Sequence, residues 1–360
     1  MQILRFLAVA IGLVVLAASC HHHNSIHMVI GDGDNNLDIR YTGNIRFNDS
    51  ETTIEEISEG GYLSYRNNGE RLLAGPDAGG GVGIDLYEHR EKIDAGSVEG
   101  RRMVARIVKE LVWQGVDAEG RMDRIYRRGG YPALLAETDS MKSDYVKGLY
   151  FGRLLHRDTI APGEMAAVLK KIGITLSSDH DKEELLMRID SSFLKDDSVA
   201  GSYMDVVAGI DGGYEKSQAL SYFLRFPLPE RRYVRTLEVA KTVDGDYERS
   251  NVLCRLIDKG VVEGASFDSL LAVIGGMNGD FEKSKLLKEI SRADLKESPT
   301  WAGLIRASSQ LDGDNEKGNV LIEIAHRLPR TDSLRAVYTA AAKTVHSDND
   351  YGRVMRAIEN

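Results

Sequence analysis

The chain has 360 residues, of which 42% are hydrophobic and 28% charged, and its formal net charge at pH 7 is −9. This composition is typical of a folded protein long enough for two domains, and it excludes an intrinsically disordered chain. The acidic balance argues against nucleic acid as a partner, because phosphate-binding surfaces need clustered Lys and Arg. The two cysteines, Cys20 and Cys254, provide no disulfide framework.

The N-terminal residues 1–19 are predicted to form a signal peptide. Arg5 supplies the positive end, and the apolar run at residues 6–18 is too short to span a membrane. Residues 16–20 (LAASC) resemble the lipobox of bacterial lipoproteins. The resemblance implies cleavage before Cys20, lipidation of that residue, and anchoring to a membrane of the bacterial cell envelope. A plain secretory peptide is the alternative.

Residues 20–36 are predicted to form a flexible tether between the lipid and the folded chain. The run HHHNSIH at residues 21–27 offers imidazoles that could bind a transition metal, but no carboxylate or thiol lies at a set spacing from them. The run GDGDNNLD at residues 31–38 is similar to a calcium loop, yet it lacks the glycine and the bidentate glutamate that such loops need. We therefore expect no metal and no cofactor.

Residues 37–96 show an alternation of apolar and polar side chains that predicts about five short antiparallel strands. Glycine and asparagine signals separate them, and the clearest tight hairpin is expected at residues 67–69 (NNG). Met103, Ile107 and Leu111 then recur at helical spacing, so we expect this helix to cover the sheet. Residues 97–140 are interpreted as a helical adaptor.

A short motif recurs along residues 141–360. Its seven copies are SDYVK, SDHDK, GGYEK, GDYER, GDFEK, GDNEK and SDNDY, at intervals of 33 to 35 residues, and their second letters are Asp144, Asp179, Gly213, Asp246, Asp280, Asp314 and Asp348. A constant interval of this length indicates a repeat architecture.

We number each copy from that second letter, which is position 0. Positions +6, +7 and +10 are apolar in all seven copies, as in Leu286, Leu287 and Ile290, and this spacing makes one stripe on a helix, named A. Position −3 is also apolar in every copy, so a second helix, B, is predicted to end just before the motif. The predicted fold class is α+β, with an antiparallel β domain followed by a HEAT-like α-solenoid of helical hairpins.

The acids of the motif are predicted to cap the A helices. The capping residues are Asp144, Asp179, Asp246, Asp280, Asp314 and Asp348, with capping-box spacing at Ser178 and Ser347. A ladder of calcium sites is the alternative, but each copy offers too few oxygens.

Three other motif positions also carry expectations. The glycines at −1 are expected to supply the positive φ that ends helix B. The aromatic residue at +1 is expected to cover the junction between neighbouring hairpins. The basic residue at +3 is expected to pair with acids of the adjoining turn.

Helix B has the more variable positions, and we predict that it forms a groove for a partner. The candidate partner-binding residues are Tyr203, Arg235, Trp301 and Tyr338. Tyr203 and Tyr338 fall at position −10, at the edge of the apolar stripe, so core packing is their alternative role.

The strands, the run RRGGYPALLAETDSMKSDYVK and the serial SDY/GDYE units together resemble a bacterial family of exported repeat proteins with HEAT-like repeats. Some relatives are the extracytoplasmic repeat regions of sensor metallopeptidases of the beta-lactam-receptor type. The resemblance covers roughly residues 39–360 and implies the repeat fold. The HEXXH zinc helix of those peptidases does not occur in this sequence, so their catalysis is not carried over.

The sequence contains no HEXXH, GXSXG, Walker or Rossmann motif, and no catalytic residue is predicted. The leading hypothesis is a non-enzymatic, lipid-anchored scaffold that binds an unknown protein or peptide in the cell envelope. The alternative is a regulator or cryptic hydrolase with its site between the β domain and the first hairpins.

The predicted anchor gives a direct test. A Cys20→Ser protein cannot be lipidated at that position, so we expect it to leave the membrane fraction and appear in the soluble exported fraction. Detergent-phase partitioning measures the change. Persistence of the variant in the membrane pellet would contradict anchoring through Cys20.

Overall fold

A computed structural model describes residues 25–30, 36–141, 143–156, 160–260 and 264–359. The chain divides into two compact units, Met1–Leu154 and Leu155–Asn360. Strands come first and helices follow, which confirms the predicted α+β fold class. The predicted signal peptide, the lipobox and most of the two possible metal-binding runs lie outside the described residues.

The described part of the first unit contains eight strands. They are β1 (Ser25–Ile30), β2 (Leu37–Thr42), β3 (Ile45–Phe47), β4 (Ile54–Ile57), β5 (Tyr62–Asn67), β6 (Glu70–Pro76), β7 (Val82–Glu88) and β8 (Glu91–Ile93). Six of them form an antiparallel sheet in the order β1-β2-β5-β6-β7-β8, and β3 pairs with β4. The hairpin between β5 and β6 turns at Asn68 and Gly69, both at positive φ, which confirms the predicted tight turn.

Strand β1 overturns part of the predicted tether. Ser25–Ile30 pairs along its whole length with Leu37–Thr42, so these residues belong to the sheet. Met28 is buried in the core, and Ile26 packs against it. His27 Nε2 lies 3.1 Å from an Asp38 carboxylate oxygen on the neighbouring strand. The alternation of Ile26, Met28 and Ile30 supplies the apolar face, and the polar segment around it concealed that pattern.

Three helices complete the first unit: α1 (Val98–Trp113), α2 (Ala118–Glu137) and α3 (Asp144–Leu155). The buried face of α1 includes Met103, Ile107 and Leu111, which join one core with the sheet, as predicted. Helix α2 is interrupted at Gly130, whose φ is 63°. The first motif copy begins α3.

The second unit is a two-layered array of helices. In chain order they are α4 (Pro162–Thr175), α5 (Asp179–Met187), α6 (Asp197–Ala208), α7 (Gly213–Phe223), α8 (Glu230–Lys241), α9 (Asp246–Asp258), α10 (Ala265–Gly275), α11 (Asp280–Arg292), α12 (Ser298–Ser309), α13 (Asp314–Ala325), α14 (Asp332–Ala342) and α15 (Asp348–Glu359). The odd-numbered A helices pack against one another in series, and so do the even-numbered B helices. This confirms the predicted helical repeats.

The apolar stripe of helix A forms the interior of the array. Leu286, Leu287 and Ile290 are each at most 1% exposed, and the equivalent positions are buried in the first six motif copies. In the last copy Val354 alone is buried. Burial of three such side chains per helix, at about 1.5–3 kcal/mol each, is the main stabilising term of each repeat.

A hydrogen-bonded ladder joins successive motif copies. One carboxylate oxygen of the aspartate at position 0 accepts the backbone N–H groups of positions −2 and −1 in the next copy, at 2.7 to 3.1 Å. The pairs are Asp179 with Asp211 and Gly212, Asp246 with Asn278 and Gly279, Asp280 with Asp312 and Gly313, and Asp314 with His346 and Ser347. Each carboxylate therefore fixes the turn that precedes the next A helix.

The ladder corrects the predicted capping role. Asp246, Asp280 and Asp314 are the first residues of their helices. The N-cap position is the preceding glycine, which has no side chain to cap the helix, and the carboxylates bond to the next turn instead. Ser178 does cap α5, accepting the Asp181 N–H at 3.2 Å, as predicted. For Asp144 and Asp348 the capping role stays a prediction.

The basic residue at +3 adds further contacts to the ladder. Lys182 Nζ lies 3.1 Å from the Asp179 carboxylate and donates to the Gly209 carbonyl at 3.3 Å. Burial opposes ionisation of Asp179, but the Gly212 N–H and Lys182 outweigh it, so the pKa of Asp179 is lowered. Lys317 similarly reaches the Thr344 carbonyl. The predicted pairing with an acid is confirmed, and the carbonyl bond adds a tie to the end of helix B.

The glycines at −1 lie close to a glutamate side chain, and three of them do not have positive φ. An added Cβ at Gly212, Gly279 or Gly313 would lie 2.3 to 2.5 Å from the carboxylate of the glutamate at +2, and their φ values are negative. The expectation of positive φ is wrong at these three positions and correct at Gly245, where φ is 80°.

Gly245 follows the one copy without an aspartate. Gly213 occupies position 0 there, and the Asp244 backbone lies so close that an added Cβ would be 2.4 Å from the Asp244 carbonyl oxygen. Lys216 has no carboxylate beside it at position 0 and donates to the Thr242 carbonyl and hydroxyl. The turn before α9 therefore differs from the other turns, and the copy that precedes it has no aspartate at position 0.

The ladder predicts that Asp280→Ala lowers the free energy of unfolding by about 1.5–3 kcal/mol, the range for hydrogen bonds to a charged group. The reason is that the N–H groups of Asp312 and Gly313 lose their common acceptor. Urea unfolding measures the change. Asp312→Ala, an exposed neighbour, is the control and should stay within about 0.5 kcal/mol of the parent protein. Equal losses in the two variants would refute the ladder.

The exceptional copy predicts that the consensus change Gly213→Asp destabilises the protein, by about 1–3 kcal/mol, because the new Cβ collides with the Asp244 backbone. Thermal and urea unfolding report the effect. Gly275→Ala, at a helical glycine with open space around it, is the matched control and should cause no loss. A stabilised Gly213→Asp protein would show that the turn can switch to the common form.

Candidate partner-binding surface

Three of the four predicted partner-binding residues are buried, so that prediction is wrong for them. Tyr203 is fully buried on α6 and its hydroxyl donates to the Ala219 carbonyl at 2.8 Å. Tyr338 is fully buried on α14 and donates to a carbonyl of α13 and one of α15. Trp301 is 3% exposed and its indole N–H donates to the Leu295 carbonyl. These polar groups are satisfied inside the array.

Arg235 is the one predicted residue that stays on the surface. It lies on α8, and its guanidinium donates to Asp205 on α6 at 3.0 Å. A second carboxylate, that of Glu238, lies 3.5 Å away. Arg235 is therefore accessible to a ligand, although not together with the aromatic residues first grouped with it.

The exposed aromatic side chains of the array lie at position +1 of helix A. Tyr214, Tyr247 and Phe281 are 61%, 66% and 70% exposed, so the prediction that they cover the hairpin junctions is wrong. The reason is geometric, because at 100° per residue position +1 lies opposite the buried position +10. Each ring therefore points away from the core.

These three residues form an aromatic row. They occupy the same position on α7, α9 and α11, and each of these helices packs against the next. Packed helices lie about 8–10 Å apart, which sets the expected spacing of the rings. Exposed apolar side chains arranged in a series are typical of an interaction surface.

The row lies among carboxylates. From position −2 to +5, the three copies at residues 211–218, 244–251 and 278–285 carry seven acidic and four basic side chains. Arg249 donates to the Val243 carbonyl, and Lys283 lies 3.6 Å from Asp280, so these cations are already engaged. Asp211 and Asp244 are exposed and lie three positions before the aromatic residue of their copy. The surface is therefore aromatic and acidic.

One sequence signal could have located the row. Position +1 holds His180, Asn315 and Asn349 in other copies, and such polar residues indicate a solvent-exposed position. Aromatic residues at an exposed position have no packing role, and this points to binding.

A separate cleft occurs in the first unit, beside the first motif helix. Its volume is about 760 Å³, and its lining includes Met28, Tyr41, Asp117, Tyr145 and Leu149. Burial raises the pKa of Tyr41 to about 12. This is the region of the predicted alternative site.

Asp117 is the most unusual residue of that cleft. It has a left-handed backbone with φ of 58°, and burial raises the pKa of its carboxyl group. The carboxylate accepts the Phe47 N–H at 3.0 Å and pairs with buried Arg124 at 3.0 Å. These bonds join β3 to the start of α2, so Asp117 has a structural role.

No family model, curated protein or solved structure matches the chain. Across the described ranges, no helix has the length and apolar character of a membrane span. The same residues include no group of three or more His, Cys, Asp or Glu side chains placed to hold a metal ion. The fold defines the chain as an α+β protein in which an array of helical repeats follows an antiparallel sheet.

Proposed function

We propose that this protein is a non-enzymatic, lipid-anchored scaffold of the bacterial cell envelope whose repeat array binds an extended, positively charged segment of a partner protein. The aromatic row of Tyr214, Tyr247 and Phe281 is the observation that carries the proposal. The proposal also includes membership of the exported HEAT-like repeat family. The row replaces the buried helix B residues as the binding site.

The spacing of the row favours an extended partner. Neighbouring A helices are separated by about 8–10 Å. A polyproline II segment advances about 3.1 Å per residue with three residues per turn, so every third side chain recurs at about 9 Å. One side chain in three can therefore meet successive rings.

The charge of the row favours a basic partner. The acidic side chains of the three motif copies outnumber the basic ones by three, and each helix N-terminus contributes only about half a positive charge. The surface thus stays negative. An Arg or Lys side chain above an aromatic ring gains about 0.5–1 kcal/mol at an exposed site, and the adjacent carboxylates add a charge-assisted partner.

The anchor would hold the sheet close to the membrane. Strand β1 begins at Ser25, five residues after Cys20, and five residues span at most about 18 Å. A lipid on Cys20 would therefore restrict the first unit to the membrane surface. This arrangement suits a scaffold that captures a partner in the envelope.

A labelled peptide of repeated Arg-Pro-Pro units tests the site by fluorescence anisotropy. We expect the parent protein to bind it with an affinity that falls as salt rises, and the triple variant Tyr214→Ala, Tyr247→Ala and Phe281→Ala to bind about tenfold or more weakly, since each ring contributes about 0.5–1 kcal/mol. Tyr62→Ala, which removes an exposed aromatic residue of the first unit, is the matched control.

The comparison peptides separate the causes. A peptide of repeated Glu-Pro-Pro units should not bind, and one with the same arginines grouped at one end should bind more weakly than the regular peptide. Equal binding of the two arginine peptides would refute the three-residue register. If a neutral oligosaccharide bound to the same rings in preference to the peptides, the proposed partner would be a glycan and not a protein.

A further inference from the structure

A second concave site lies between the B helices α6 and α8, with Phe223 of the A helix α7 at its base. Its volume is about 360 Å³, within the size range of small-molecule sites. Ala200, Met204 and Phe223 form an apolar floor, and each of these residues is at most 4% exposed. We name this site the arginine cleft, because Arg231, Arg232 and Arg235 line it as well.

The arginines differ in how firmly they are held. Arg232 is mostly buried and donates to the carbonyls of Leu194 and Lys195 and to Asp197, so its position is fixed. Arg231 is exposed and pairs with the same Asp197 at 2.9 Å. Arg235 pairs with Asp205 at 3.0 Å. Arg231 and Arg232 thus share the Asp197 carboxylate at the cleft.

The exposed arginines can change carboxylate partners at little cost in free energy. Surface salt bridges contribute about 0–1 kcal/mol. An incoming carboxylate can therefore replace Asp197 on Arg231 with little net change in free energy. It can likewise replace Asp205 and Glu238 on Arg235. A guanidinium matches the two oxygens of a carboxylate through parallel hydrogen bonds. Both residues lie on one face of α8, four positions apart, and this face borders the apolar floor.

Gly201 occupies an exposed position in the lining of the cleft. It lies on α6 in the lining of the cleft, and an added Cβ there would meet no atom within 4 Å. A glycine inside a helix costs stability relative to other residues. The floor residues themselves are almost fully buried, and the lack of a side chain at Gly201 keeps the approach to them open.

We propose that the arginine cleft binds a small amphiphilic carboxylate, with its apolar tail on Ala200, Met204 and Phe223 and its carboxylate on Arg231 and Arg235. The two arginines supply charge and geometry, and the floor supplies the contact area for the tail. The site is separate from the aromatic row, so it does not depend on the proposed peptide binding.

Titration with octanoate, followed by calorimetry and by amide chemical shifts, tests the proposal. We expect saturable binding to the parent protein, with acetate and octanol each bound at least about tenfold more weakly, because each lacks one half of the recognised chemistry. Gly201→Leu fills the open space and should weaken octanoate binding by about tenfold or more. Gly163→Leu, at an exposed glycine of α4 that also has open space, should not.

The arginines give a second test that does not depend on the filled variant. Arg231→Gln combined with Arg235→Gln should abolish the preference for octanoate over octanol, while circular dichroism shows an intact helical fold. Arg-Pro-Pro peptide binding should be unchanged in both the Gly201 and the arginine variants. No saturable binding of octanoate, or equal binding of octanol, or full binding by Gly201→Leu, would overturn the proposal.

Discussion

A single carboxylate oxygen that accepts two backbone N–H groups from the next turn is the interaction that sets the conformation of the turns in the repeat array. Helix stripes bury apolar surface, but this burial is not directional and does not fix how one hairpin follows another. The aspartate ladder is directional, and the buried lysine at +3 adds a bond to the end of helix B. Together they set the turn between repeats.

The copy at Gly213 shows what happens when this interaction is missing. The following turn takes another form, with Gly245 at positive φ and the Asp244 backbone packed on the glycine. Stacking continues because α7 still buries Ala219, Leu220 and Phe223. The apolar stripe therefore maintains the array, while the ladder determines the conformation of each turn.

The fixed turns have a consequence for the surface. They place position +1 of successive A helices along one edge, and they leave the B helices to enclose Tyr203, Trp301 and Tyr338. The aromatic row lies on the A helices, whereas the arginines of the cleft lie on the B helix α8. A peptide and a small carboxylate could occupy them independently, and one chain would then present two kinds of site.

The sequence by itself determined the repeat, its two helices, the buried positions +6, +7 and +10, and the β5–β6 hairpin. These features follow from periodicity and turn chemistry, which are local. It did not determine the partner of each aspartate, because an acid near a helix start is compatible both with capping its own helix and with a bond to a turn 32 residues away.

Only the tertiary structure decided which variable residues are accessible. Trp301 and Tyr203 have polar groups that suggest a surface, yet carbonyls of the array satisfy those groups in the interior. Strand β1 was hidden for a similar reason, since its pairing with β2 is needed before its apolar face can be buried. Burial is a property of neighbours, and neighbours 16 or more residues apart are set by the fold.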